Sequence, residues 1–184
     1  IVPEFVRFAN DDLKLQNVSL EKFEETQFPA GFFDVVTLWD LIEHLRHPLA
    51  YLQAINKILR PGGLIVIWTP NVGNAAYLKE RWQGYRIGQH LYFFSAHTLQ
   101  GLLARSGFRA VYKKTTRAKK GFFLQPPPVP YGQSGKPATK AGKLWHGMKR
   151  DLKNLVNPLN YLSPALDMTG YGFNLFVLAV KTES

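Results

Sequence analysis

Two continuous apolar runs with one amphipathic helix between them fix most of what this chain can become. The first, FDVVTLW, covers Phe33 to Trp39; the second, LIVIW, covers Leu64 to Trp68 and is launched by the turn Pro61-Gly62-Gly63. Runs of this length without polar alternation read as neighbouring parallel strands, covered on both faces, in an open α/β sheet. Between them Pro48 starts a helix whose Leu49, Leu52, Ile55, Ile58 and Leu59 form one apolar stripe, ended by the Pro-Gly-Gly turn. Ligands of such sheets sit beyond the carboxyl ends of the strands, which is where Asp40 to His44 and Thr69 to Asn71 fall.

The flanking sequence continues the pattern. Pro3 to Asn10 predicts a helix lying on the sheet, with Phe5, Phe8 and Ala9 on one face, and Gln16 to Leu20 predicts a short strand. Ser95 is placed to cap a helix over Ala96 to Ser106 that buries Leu99, Leu102 and Leu103 and stops at Gly107. Phe108 to Thr116 and Gly172 to Val180 read as strands. Thr69 to Tyr92, with a proline, three glycines and several aromatics, has no periodicity and reads as a lid or binding loop.

The formal charge of +10 is unevenly placed. Arg105 to Lys153 holds 13 lysines and arginines against the single acid Asp151, whereas residues 1–104 carry 9 basic and 10 acidic side chains. This basic segment includes a proline run, Pro126 to Pro128, and then an amphipathic helix, Leu144 to Leu159, whose leucines face one way and whose cations face another. It is either a solvated insertion or a site for an anionic partner such as a membrane surface or nucleic acid. The absence of cysteine excludes disulfides and thiolate metal sites and fits a reducing, cytoplasmic setting, with peripheral contact to a membrane as an extension. No apolar run approaches the roughly 18 residues of a spanning helix, and Glu4 and Arg7 interrupt Ile1 to Asn10 as a signal peptide.

The segments FPAGFFDVVTLWDLIEHL, RPGGLIVIWTPN and HLYFFSAHTLQGLLARSGF together resemble the class I S-adenosylmethionine-dependent methyltransferases, closest to the branch of the ubiquinone-biosynthesis O-methyltransferases. The resemblance covers about Val2 to Val111 and a last strand near Gly170 to Val180. It implies a Rossmann-like open sheet, mostly parallel, with an antiparallel hairpin at its C-terminal edge. It assigns residues 1–116 and 170–184 to that domain and leaves residues 117–169 as an insertion, a cap or a membrane-surface element. The family's first strands and its glycine-rich GxGxG turn find no counterpart before β-run Phe33 to Trp39, so the sequence is read as N-terminally incomplete and the chain as given as incomplete for activity.

The same resemblance implies the site. Trp39 and Asp40, after the first apolar run, become contacts to S-adenosylmethionine; the alternative for Asp40 is to cap the turn that follows. Ser19 and Leu20 stand where many relatives carry an acid to the adenine amine, with Ser19 in place of that acid. The branch has E-x-x-E-H and uses it for a divalent cation, where this chain has Asp40, Glu43 and His44. Oxygen ligands and one imidazole suit such an ion, which lowers the pKa of a substrate hydroxyl; the other readings of His44 are a general base or a packing residue. His90 is the second candidate base. Tyr77, Trp82, Tyr85 and Tyr92 suit an apolar or aromatic small-molecule acceptor, a lipid or glycan precursor among them. The competing function is a non-catalytic protein that binds nucleic acid or a membrane surface through residues 113–153.

Overall fold

The computed structural model describes residues 2–15, 17–23, 26–79, 82, 84–86, 88–116 and 167–182, with the side chains of Tyr77 and Leu78 excepted. Its helices are α1 (Pro3–Asp11), α2 (Pro48–Ile58), α3 (Ala75–Leu78) and α4 (Ala96–Arg105), and its strands are β1 (Phe33–Trp39), β2 (Leu59–Pro70), β3 (Phe108–Thr116) and β4 (Asn174–Lys181). The strands form one open sheet in the order β1-β2-β4-β3. β1 and β2 run parallel, with Val35 opposite Leu64 and Trp39 opposite Trp68. β4 runs antiparallel to both of its neighbours, so the expected C-terminal hairpin is present and its last strand lies between β2 and β3.

One face of the sheet holds the core. Leu38, Ile65, Ile67, Leu175, Val177 and Ala179 turn toward Leu52 and Ile55 of α2 and Leu99 and Leu103 of α4. Ser95 and Thr98 complete a capping box at the start of α4, each side chain taking the other's backbone N–H. The two helices pack here because their stripes recur at helical spacing, and burial of each large side chain contributes roughly 1.5–3 kcal/mol.

Among the described residues, the opposite face departs from the expectation of two covered faces. Val35 and Trp39 are exposed, and a row of rings crosses all four strands there: Trp39 to Trp68 at 5.9 Å, Trp68 to Phe176 at 6.3 Å, and Phe176 to Tyr112 at 6.2 Å. Helix α1 forms as its sequence predicts but buries no residue, and Phe5 is 72% exposed. An amphipathic stripe specifies a helix, not its partner. Residues 17–20 form no strand, a second correction.

The Pro-Gly-Gly turn also behaves differently. It was expected to separate α2 from a strand starting at Leu64, yet β2 begins at Leu59, which pairs with Phe33, and the register then slips before Val35. Arg60 to Gly63 is therefore a bulge inside the strand. Gly62 takes φ +69°, and a Cβ on Gly63 would lie 2.8 Å from the Arg60 carbonyl oxygen, so the bulge needs glycine twice. Arg60 Nε binds Asp34 Oδ1 at 2.5 Å across it.

The expected amphipathic helix at Leu144 to Leu159, and most of the basic segment, lie outside the described residues. No described helix is long and apolar enough to cross a membrane.

Candidate active site

β1 and β2 end side by side, and the chain beyond them builds the site. After Trp39 the backbone turns sharply at Asp40, which takes the left-handed φ of 45° and donates its N–H to the Trp68 carbonyl at 2.9 Å. That conformation is uncommon for a residue with a side chain, with aspartate among the exceptions. It redirects the chain into a 3₁₀ turn, Ile42–His44, whose N-cap is Leu41 with no side-chain cap bond. Asp40 does not cap the turn. Its carboxylate is exposed, beside the exposed indole of Trp39.

The turn sends Glu43 inward and His44 outward. Glu43 is 1% exposed, and its Oε2 accepts a hydrogen bond from the buried Thr69 hydroxyl at 2.9 Å. Its other oxygen, Oε1, is buried without a hydrogen-bond partner and lies 4.0 Å from His44 Nε2. The Glu43 carbonyl accepts the N–H groups of Leu91 and Tyr92 at 2.8 and 3.1 Å. One residue thus ties the end of β1 to the end of β2 and to the segment before α4.

Two imidazoles meet at this point. His44 Nδ1 lies 2.7 Å from the Gln89 carbonyl oxygen, and His90 Nδ1 lies 2.9 Å from that of Gly84. A carbonyl only accepts, so both Nδ1 atoms carry protons and, in the neutral rings, both Nε2 atoms are left as acceptors. The rings meet edge to face at 4.8 Å. One ligand atom from each of Glu43, His44 and His90 lies within 4.8 Å of the others. Asp40, the first acid of the expected ligand set, is not in this group: the left-handed turn at residue 40 separates it from Glu43, and His90 stands in the third place.

The aromatic residues of the irregular segment divide in two. Trp82 is 1% exposed and packs against Tyr85 at 4.9 Å and Phe93 at 5.6 Å, so its ring is part of the wall. Tyr85 and Tyr92 are exposed, and Tyr92 donates its hydroxyl to the Arg46 carbonyl at 3.1 Å. Tyr77 belongs to α3, with its side chain outside the described ones. Ser19 and Leu20 are exposed in an irregular stretch.

Sequence reasoning placed Thr69 to Asn71 at the ligand end of the sheet without giving any of them a role, and did not single out Asn74. Asn71 Nδ2 donates to the carbonyls of Gly170 and Gly172 at 3.0 and 2.9 Å, while its Oδ1 accepts from Gly73 N–H. Asn74 Nδ2 donates to the Tyr171 carbonyl. Together they anchor the return to β4 beside the site. Buried asparagines at a strand end were the available signal, since burying an amide demands partners.

A family model for the methyltransferase domain matches residues 4–113. A ubiquinone biosynthesis O-methyltransferase of Psychrobacter cryohalolentis is 40% identical over 68 residues, which is 37% of this chain and 26% of that protein. The match therefore spans about a quarter of the length of this curated relative. Among solved structures, a candidate methyltransferase of Bacillus halodurans superposes with a TM-score of 0.55 at 13% identity, covering 100% of this chain and 81% of that one. The [4+2]-cyclase SpnF gives 0.53 at 14% identity, covering 96% and 60%. At these identities the likeness concerns the fold, and it includes a protein named for a different reaction.

Proposed function

The chain belongs to the methyltransferase domain family, and on that premise we propose that its protein is an S-adenosylmethionine-dependent methyltransferase acting on a hydroxyl of a small-molecule acceptor. The observation that carries the reading is the pair His44 and His90, each held by a backbone carbonyl with Nε2 free to take a proton. Support for oxygen as the acceptor atom comes from the curated relatives, which are named for O-methylation.

The residues present fit part of the cofactor. Trp39 offers an exposed stacking face, and the Asp40 carboxylate, without a hydrogen-bond partner among the described residues, offers an acceptor for ribose hydroxyls or the adenine amine; Ser19 and Leu20 are the further contacts proposed. S-adenosylmethionine supplies an electrophilic methyl group on a sulfonium. The protein's part is to align the acceptor oxygen, exclude water and remove the proton. His44 and His90 are the bases proposed for that step. Glu43 holds the turn that carries His44, and Tyr85, Tyr92, Tyr77 and Trp82 are the proposed acceptor wall. Calorimetry of the intact protein with S-adenosylhomocysteine tests the reading; saturable binding that Asp40→Ala weakens is expected, and none at millimolar ligand refutes it.

A divalent cation is a second reading, favoured by the buried, unpartnered Oε1 of Glu43, 4.0 Å from His44 Nε2, and by the grouping of Glu43, His44 and His90 within 4.8 Å. Carboxylate plus two imidazoles suits a borderline first-row ion better than Mg²⁺, and carbonyl bonds at both Nδ1 atoms are the usual outer support of histidine ligands. Titration with Co²⁺, followed by its visible absorption, tests it: a band lost in His90→Ala is expected, and no band excludes this site.

A further inference from the structure

A second concave feature adjoins the histidine pair on the side of α2. A cavity of about 720 Å³ opens between the 23–30 segment and α2, within the range of small-molecule sites. It shares His44 with the histidine pair, but Ser19, Leu20, Trp39 and Asp40 do not line it, nor do Tyr77, Trp82, Tyr85 and Tyr92. Its existence and chemistry do not depend on the methyltransferase reading.

The sequence explains the floor. A surface helix normally turns polar side chains outward, yet α2 places Ala50, Ala54 and Ile58 at intervals of four along the flank that lines the cavity. From Ala50 to Ile58 this floor extends about 12 Å at the rise of an α-helix. Phe23 and Phe28 form the facing wall. The wall is fixed at both ends: the Phe23 ring meets the Tyr51 ring at 4.6 Å, and Gly31 donates its N–H to the Lys57 carbonyl at 3.1 Å.

Charge then orients the occupant. Arg46 and His47 stand at one end, just before α2, and Lys57 stands at the other; no acid is among the described lining residues. Glu24 and Glu25, which separate Phe23 from Thr26 in sequence, are outside the described residues. An apolar trough with cations at its ends complements an anion carried on an apolar body, and opposes a cationic or strongly polar one.

We propose that the trough between Phe23–Phe28 and α2 is a binding site for a small apolar carboxylate, whose anionic end pairs with Arg46 and whose chain lies along Ala50, Ala54 and Ile58. The probe is decanoate, titrated calorimetrically into the full chain, with decanol and decyltrimethylammonium as neutral and cationic counterparts. Expected are one saturable site for decanoate, at least tenfold weaker binding of both counterparts, a loss of tenfold or more in Arg46→Gln, and no detectable binding in Ala54→Trp, which fills the trough. Should Ala54→Trp fail to fold, Ala50→Leu narrows the trough from an exposed position and is expected to weaken binding at least fivefold. Equal binding of decanol, full affinity in Arg46→Gln, or full affinity in both filling variants overturns the proposal. Competition by S-adenosylhomocysteine would place decanoate in the cofactor site and also overturn it, while leaving the methyltransferase reading intact.

Discussion

Glu43 and Thr69, 26 residues apart, are joined by a buried hydrogen bond of 2.9 Å that closes the gap between the ends of the two parallel strands. The bond matters more for what it prevents than for what it adds. A carboxylate at 1% exposure that loses its donor is left to bear its desolvation unaided.

Thr69→Val keeps the shape of the side chain and removes the donor. The variant is expected to lose about 1–3 kcal/mol of stability in urea denaturation, whereas Thr69→Ser, which keeps the hydroxyl, is expected to stay much closer to the parent. Equal losses in the two would show that the γ-methyl packing contributes as much as the hydrogen bond.

His44 and His90 are separated by kinetics. Removing a general base lowers turnover by about 10²–10⁴-fold, so one of His44→Asn and His90→Asn is expected to show a fall of that size in kcat, with little change in acceptor KM. The other is expected to act mainly through KM, since its ring then serves to shape the site. Full turnover in both variants would remove the histidines from the chemistry.

Asn71→Ala tests the anchor at the end of β2. Three side-chain hydrogen bonds are lost, each with a net contribution of about 0.5–1.5 kcal/mol, and a drop of roughly 1.5–4.5 kcal/mol is expected by denaturant titration. Hydrogen exchange is expected to rise at residues 170–174 first.

Gly84→Ala probes the packing under His90. A Cβ there would stand 2.3 Å from the Trp82 ring, so the indole must move, at a cost of about 1–3 kcal/mol for overpacking. Red-shifted tryptophan emission is expected, together with weaker holding of His90, whose Nδ1 is bound to the Gly84 carbonyl. Unshifted emission would mean that the backbone yields instead.

Much of the sheet was legible because periodicity is local information. β1, α2, α4 and β3 appear close to where alternation, stripes and caps place them, and Ser95 caps as its position predicts. What failed was partnership. α1 has the pattern of a packed helix but nothing in its own residues says against what, and β1 reads as covered on both faces although Val35, Thr37 and Trp39 are exposed among the described residues. The histidine cluster was half legible: Glu43 and His44 are adjacent, whereas His90 reaches them across the fold, and the atoms that set both tautomers are backbone carbonyls of Gln89 and Gly84, which have no side-chain signature. Asp40 falls outside that cluster for a related reason, since a left-handed φ is a backbone choice that aspartate permits but does not announce.

The contact between Trp39 and Trp68, 5.9 Å apart with planes inclined at 38°, gives the molecule an intrinsic optical gauge. Transition dipoles of two indoles so close and so skewed couple, and the coupling appears as a paired positive and negative band in circular dichroism. Trp39 is the more open of the two and adjoins Asp40, so a planar ring settling on it would alter the sign or splitting of that doublet without any label. Trp39→Phe would erase the doublet while preserving a ring at the strand end, which makes the natural signal its own control.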